Sequence, residues 1–103
     1  MQYSYLDECL YKATLVLIIS QGKLKNRIVV AYVNHLAILE PSWFPVHLQE
    51  QFADIKNKLT SNRSKTAKET IHFWKQSQIN SIASGIFDLF CNLSYFLHSG
   101  GKK

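Results

Sequence analysis

The chain has 103 residues, enough for one hydrophobic core and too few for two. Charged residues make up 18% of it, against roughly 25% in an average globular chain, so some apolar surface must stay exposed or be covered by a partner. The formal net charge of +5 permits nucleic acid or acidic protein partners without demanding either.

The N-terminal residues do not read as a secretory signal. They have no basic flank, and Asp7, Glu8 and Lys12 interrupt them. The apolar run over 15–19 is far short of the ~20 residues that a membrane span requires. A cytoplasmic protein with no membrane partner is therefore expected.

Periodicity predicts a first helix over 4–20, with Leu6, Cys9, Leu10, Ala13, Val16 and Leu17 on one face and Glu8 and Lys12 paired four apart. Its last turns, 15–19, are apolar all round, a pattern expected of a buried end. Gly22 suits the left-handed position that follows a helix C-terminus. A second helix follows over 23–39, with Leu24, Ile28, Ala31, Tyr32, His35, Leu36 and Leu39 at steps of three and four. Its flanks carry Val29, Val30, Val33, Ala37 and Ile38, as in a central helix covered by neighbours. Pro41 ends it.

The turn over 41–45 holds Trp43 and Phe44. They read either as a cap on the core or as an aromatic anchor for a partner, since Trp is enriched at binding hot spots. A third helix over 45–60 has one apolar stripe, Leu48, Phe52, Ile55 and Leu59, and a polar outer face. Residues 60–65 form a polar loop. Thr66-Ala67-Lys68-Glu69 is a capping box that opens the next helix. One helix from there to Leu97 would be about 48 Å long at 1.5 Å per residue, so a break is expected at 76–78, with Ser77 as the new N-cap. The last helix, 78–97, carries Ile79, Ile82, Ile86, Phe90, Leu93 and Leu97. Gly85 within it marks a close helix crossing. Residues 99–103 read as a basic tail on a domain of 1–98. The expected fold is all-α, a single bundle of four or five helices, with the second and last helices at its centre.

The stretch Gly22-Lys23-Leu24-Lys25-Asn26-Arg27-Ile28, followed by Ala31-Tyr32, His35-Leu36, Leu39, Pro41, Pro45, Leu48, Phe52 and Leu59-Thr60, resembles a small uncharacterised family of bacterial all-helical proteins. Members of that family have the form G-x-L-x-x-R-L, A-Y, H-L, L-x-P, P-x-x-L-x-x-x-F and L-T. The resemblance implies a helical fold, a bacterial or phage source and a separate final helix; it brings no activity, cofactor or site residue. The second half of the chain departs from the pattern in being more apolar and more basic.

No motif for catalysis or metal binding is present. The histidines, His35, His47, His72 and His98, lack ligand spacing, and Cys9 and Cys91 are far apart in apolar context, where buried free thiols are expected ahead of a disulfide or metal role. His35 falls on the buried stripe and reads as a hydrogen-bonded core residue, or as part of a polar site with Asn34 and Tyr32. No cofactor and no enzymatic activity are expected. The glycines form no phosphate-cradling loop.

Two surface features remain. Trp43, Phe44, Phe87, Phe90, Tyr95 and Phe96 are candidate partner contacts, because three strongly apolar helices cannot bury their full circumference in one small bundle. Lys56, Lys58, Arg63, Lys65, Lys68 and Lys75, against Glu69, hold a charge excess equal to that of the whole chain. They read as a solvated face or as a contact for nucleic-acid backbone. The expectation is a non-enzymatic interaction protein, homo-oligomeric or an accessory or regulatory subunit of a bacterial or phage complex of the defence, counter-defence or toxin–antitoxin type. A nucleic-acid backbone binder using residues 56–75 is the alternative.

Overall fold

Five α-helices and two short helical turns follow one another in the computed structural model, which describes residues 3–60 and 66–99. They are α1 (Tyr3–Ile19), α2 (Leu24–Ala31), a π turn (Tyr32–Leu36), a 3-10 turn (Pro41–Trp43), α3 (Val46–Leu59), α4 (Ala67–His72) and α5 (Gln76–His98). There is no strand among the described residues, and the fold is an all-α bundle. Its radius of gyration, 13.3 Å, matches the ~13 Å expected of a compact chain of about 100 residues.

The central pair is α1 and α5, not the second helix and α5 as the periodicity implies. They run antiparallel: Tyr3 meets Phe96 edge-on at 5.7 Å, Ser94 Oγ donates to Asp7 Oδ1 at 2.7 Å, and Tyr11 lies 5.9 Å from Phe90. Leu6, Leu10, Ala13 and Leu17 form the buried stripe of α1, facing Ile82, Ile86, Leu89, Leu93 and Phe96 of α5. Burying a large aliphatic or aromatic side chain of this kind is worth about 1.5–3 kcal/mol. On the other side of α5 lies α3, also antiparallel, with Gln51 accepting from Asn92 at 3.1 Å and His47 5.1 Å from Phe96. The shorter α2 packs on α1, and α4 beside α2.

The second helix departs from expectation because of its π turn. The amide of Ala37 donates to the carbonyl of Tyr32, five residues back, at 2.8 Å. This wider turn holds one residue more than an α turn. In a continuous α-helix His35 would point at the core; the extra residue rotates the chain so that Leu36 takes that place and His35 is half-exposed. Nor is this helix covered by neighbours. Val30, Val33 and Ile38 on its outer side are exposed, Val33 by 58%.

The ends of the helices explain several polar residues. Arg27 Nη1 donates to the carbonyl of Leu17, one of the acceptors that α1 leaves unpaired at its C-terminus. The capping box is present: Thr66 Oγ1 accepts from Glu69 N at 3.2 Å, and Glu69 Oε1 from Thr66 N at 2.9 Å. The expected break lies earlier, at 73–75. Gln78 Oε1 accepts from Lys75 N at 2.8 Å and so supplies the N-terminal cap assigned in the sequence to Ser77, which is exposed. The end of α1 is not buried all round either: Leu17 is buried, but Ile18 and Ile19 are exposed. Of the two thiols, expected to be buried, Cys9 is half-buried and Cys91 exposed.

Two glycines should respond oppositely to alanine. Gly22 has φ +100°, where a Cβ is strained, and Gly22→Ala should cost about 1–2 kcal/mol. At Gly85 a Cβ would lie 3.6 Å from Ile55 Cδ1, an ordinary contact, and Gly85→Ala should add up to about 1 kcal/mol of helix propensity. Urea unfolding midpoints that move down for the first and up for the second are the expected result.

Candidate functional site

The α1–α5 seam carries the main aromatic surface. On α1, Tyr11, Leu15 and Ile18 share a face at steps of four and three. On α5, Ala83, Phe87 and Phe90 do the same. The Tyr11–Phe90 ring contact fixes the two faces against each other, and the antiparallel run then sets Phe87 opposite the Leu15 turn. Phe87 is 48% exposed, Tyr11 and Ile18 are exposed, and Leu15 and Phe90 are half-buried. Just outside this ridge, Lys12 Nζ and Glu8 Oε2 pair at 3.0 Å.

Of the six aromatics singled out in the sequence, only Phe87 and Phe90 meet there. Phe44 and Phe96 are core residues instead. Phe44 is 2% exposed and stacks on Phe52 at 4.6 Å with 21° between the rings; Phe96 is buried between Tyr3 and His47. Trp43 is half-buried at the edge of the same core. Tyr95 is 77% exposed, but on the outer polar side of α5 with Asp88 and Asn92, away from α1. Tyr11 is absent from the sequence-derived set, although its spacing to Leu15 and Ile18 would have pointed to it.

The basic segment divides as well. Lys56, with its side chain 21% exposed, closes the end of the second helix rather than facing solvent. Its Nζ donates to the carbonyl of Leu39 at 2.6 Å and of Ala37 at 3.4 Å, and lies 3.5 Å from Glu40 Oε2. Lys56→Met should therefore act on stability, lowering it by about 1.5–3 kcal/mol, the worth of a hydrogen bond to a charged group. The check is the urea midpoint; a variant as stable as the parent would remove this role. Arg63 and Lys65 lie outside the described residues. Lys58, Lys68 and Lys75 are exposed.

The structure adds cations that the sequence placed elsewhere. Lys23 and Lys25, at the start of α2, line a cleft of about 450 Å³ together with Trp74, Gln76 and Ile79. Trp74 also borders a second cleft, of about 340 Å³, lined by Lys58, Ser77, Gln78, Ser81 and Ile82. Among the described residues no acidic one lines either cleft.

Around the π turn, Tyr32, Asn34 and His35 differ in burial. Tyr32 is buried, and burial pushes its phenol pKa above the ordinary value, with Glu40 adding to the effect. Asn34 is exposed and His35 half-exposed, and among the described residues no side-chain hydrogen bond joins the three. Among the described residues no group of His, Cys, Asp and Glu is placed to hold a metal ion, and no helix is long and apolar enough to cross a membrane. No family model, curated protein or solved structure matches the chain.

Proposed function

We propose that this chain is a non-enzymatic protein-interaction module that pairs with a second copy of itself through the α1–α5 seam. The observation that supports this reading is the exposed apolar ridge of Tyr11, Ile18 and Phe87, continuous with half-buried Leu15 and Phe90. Contiguous apolar surface of this kind is uncommon on soluble monomers and marks interaction sites. The flanking charges are of both signs, Glu8 beside Lys12, so they do not set two copies of the ridge against each other, and a two-fold contact can match this patch with itself.

In this reading the module serves as a regulatory or accessory subunit of a cytoplasmic bacterial or phage complex, of the defence, counter-defence or toxin–antitoxin type. The bacterial setting rests on the sequence resemblance described above. Light scattering over a concentration series tests the pairing. Twice the chain mass is expected; a monomer at every concentration, stable without any partner, would remove the homodimer.

A further inference from the structure

We infer that the corner where α2, α3 and α5 meet around Trp74 binds single-stranded nucleic acid, with an unstacked base against the indole and the adjoining phosphates on Lys23, Lys25, Lys58 and Lys75. Trp74 lies on the link between α4 and α5, half-buried, with the core behind it and a cleft on either side. The two clefts, about 340 and 450 Å³, are within the range of small-ligand sites, roughly 300–1,000 Å³. One is lined by Lys58, the other by Lys23 and Lys25, and Lys75 follows Trp74 in the chain.

Among the described residues none of these four lysines is held in an ion pair. Lys56, by contrast, is committed to the end of the second helix. The charge here is therefore available to a ligand, and it is grouped around an aromatic side chain. Phe73, 79% exposed, adds a second aromatic one residue before Trp74.

An aromatic platform bordered by cations is the chemistry that holds single strands: bases stack on the ring and the backbone follows the charge. A duplex does not fit this description. Its bases already stack on one another, and α4, six residues long, is too short to read a groove. An acidic peptide would use the lysines but leave the indole without a stacking partner. Hydroxyls of Ser77 and Ser81 and the amide of Gln78 line the Lys58 side and offer hydrogen bonds to sugar or base edges.

Fluorescence anisotropy of a labelled oligothymidylate with the intact protein is the test. The expected result is binding at low salt that weakens on a log–log plot with a slope of about −3, for four phosphate contacts on a single strand. Trp74→Leu keeps apolar bulk but removes stacking and should weaken binding by roughly 5- to 150-fold. The double variant Lys23→Glu with Lys58→Glu alters exposed positions only and should abolish binding with the helical circular dichroism unchanged. No anisotropy change at low salt overturns the inference. So does equal or tighter binding of a duplex of the same length or of a polyglutamate peptide. An unchanged affinity in a folded Trp74→Leu variant overturns it too. If Trp74→Leu fails to fold, the lysine pair decides, and unchanged binding there overturns it.

Discussion

Phe87→Glu is expected to split the dimer into monomers while leaving the helices intact. The ring is 48% exposed on the α1–α5 ridge, so its outer half does not touch the core, and in the proposed dimer it meets the partner. Aromatic hot-spot residues cost about 2 kcal/mol or more on truncation, close to a 30-fold loss of affinity. A two-fold interface contains each substitution twice, and glutamate adds the desolvation of a charge to the lost contact. Light scattering should report the monomer mass, with the far-ultraviolet circular dichroism of the parent. Tyr95→Glu is the internal control: Tyr95 is more exposed, 77%, but lies round the outer face of α5, and its replacement should leave the mass unchanged. Dissociation by both, or by neither, would place the interface elsewhere.

Phe44→Ala should produce the largest loss of stability of any substitution considered. The ring is 2% exposed and stacks on Phe52, and removing a buried phenylalanine costs about 3–5 kcal/mol. The entire stability of a domain is about 5–15 kcal/mol, so a large share of that margin is at stake. Trp43→Ala, at a half-buried position, should cost clearly less. The order of the two urea midpoints is the measurement; Trp43→Ala falling below Phe44→Ala would reverse the assignment of core and edge.

What the sequence revealed and what it concealed differ in range. The helical stripes were legible because each is set by spacing within a few turns: Leu6, Leu10, Ala13 and Leu17 are all buried, as are Leu48, Phe52, Ile55 and Leu59. The Thr66–Glu69 cap and the left-handed Gly22 are equally local. The π turn was not legible, because Tyr32 to Leu36 carry no proline, glycine or other marker that distinguishes an i+5 turn from an α turn. The position of Lys56 was concealed for another reason. Its acceptors lie 17 and 19 residues back, and only the docking of α3 brings them within reach. The same holds for Lys23 and Lys58, which share Trp74 but are far apart in the chain. Aromatic richness alone did not separate Phe87, on the seam, from Tyr95, a quarter of a turn round the same helix.

The helix ends also bear on how the protein is made. Arg27 completes α1 from ten residues downstream, and Lys56 completes the second helix from 17 residues downstream. The first three helices can thus finish one another as they leave the ribosome. The contact between Asp7 and Ser94 bridges 87 residues, and with it the whole α1–α5 pairing waits until α5 itself has been synthesised. Until then the stripe of Leu6, Leu10, Ala13 and Leu17 has no α5 of its own. On a polysome, where neighbouring nascent chains are crowded together, the first α5 to arrive can belong to another copy. A fold closed by pairing its first helix with its fifth is therefore open, at birth, to exchanging them.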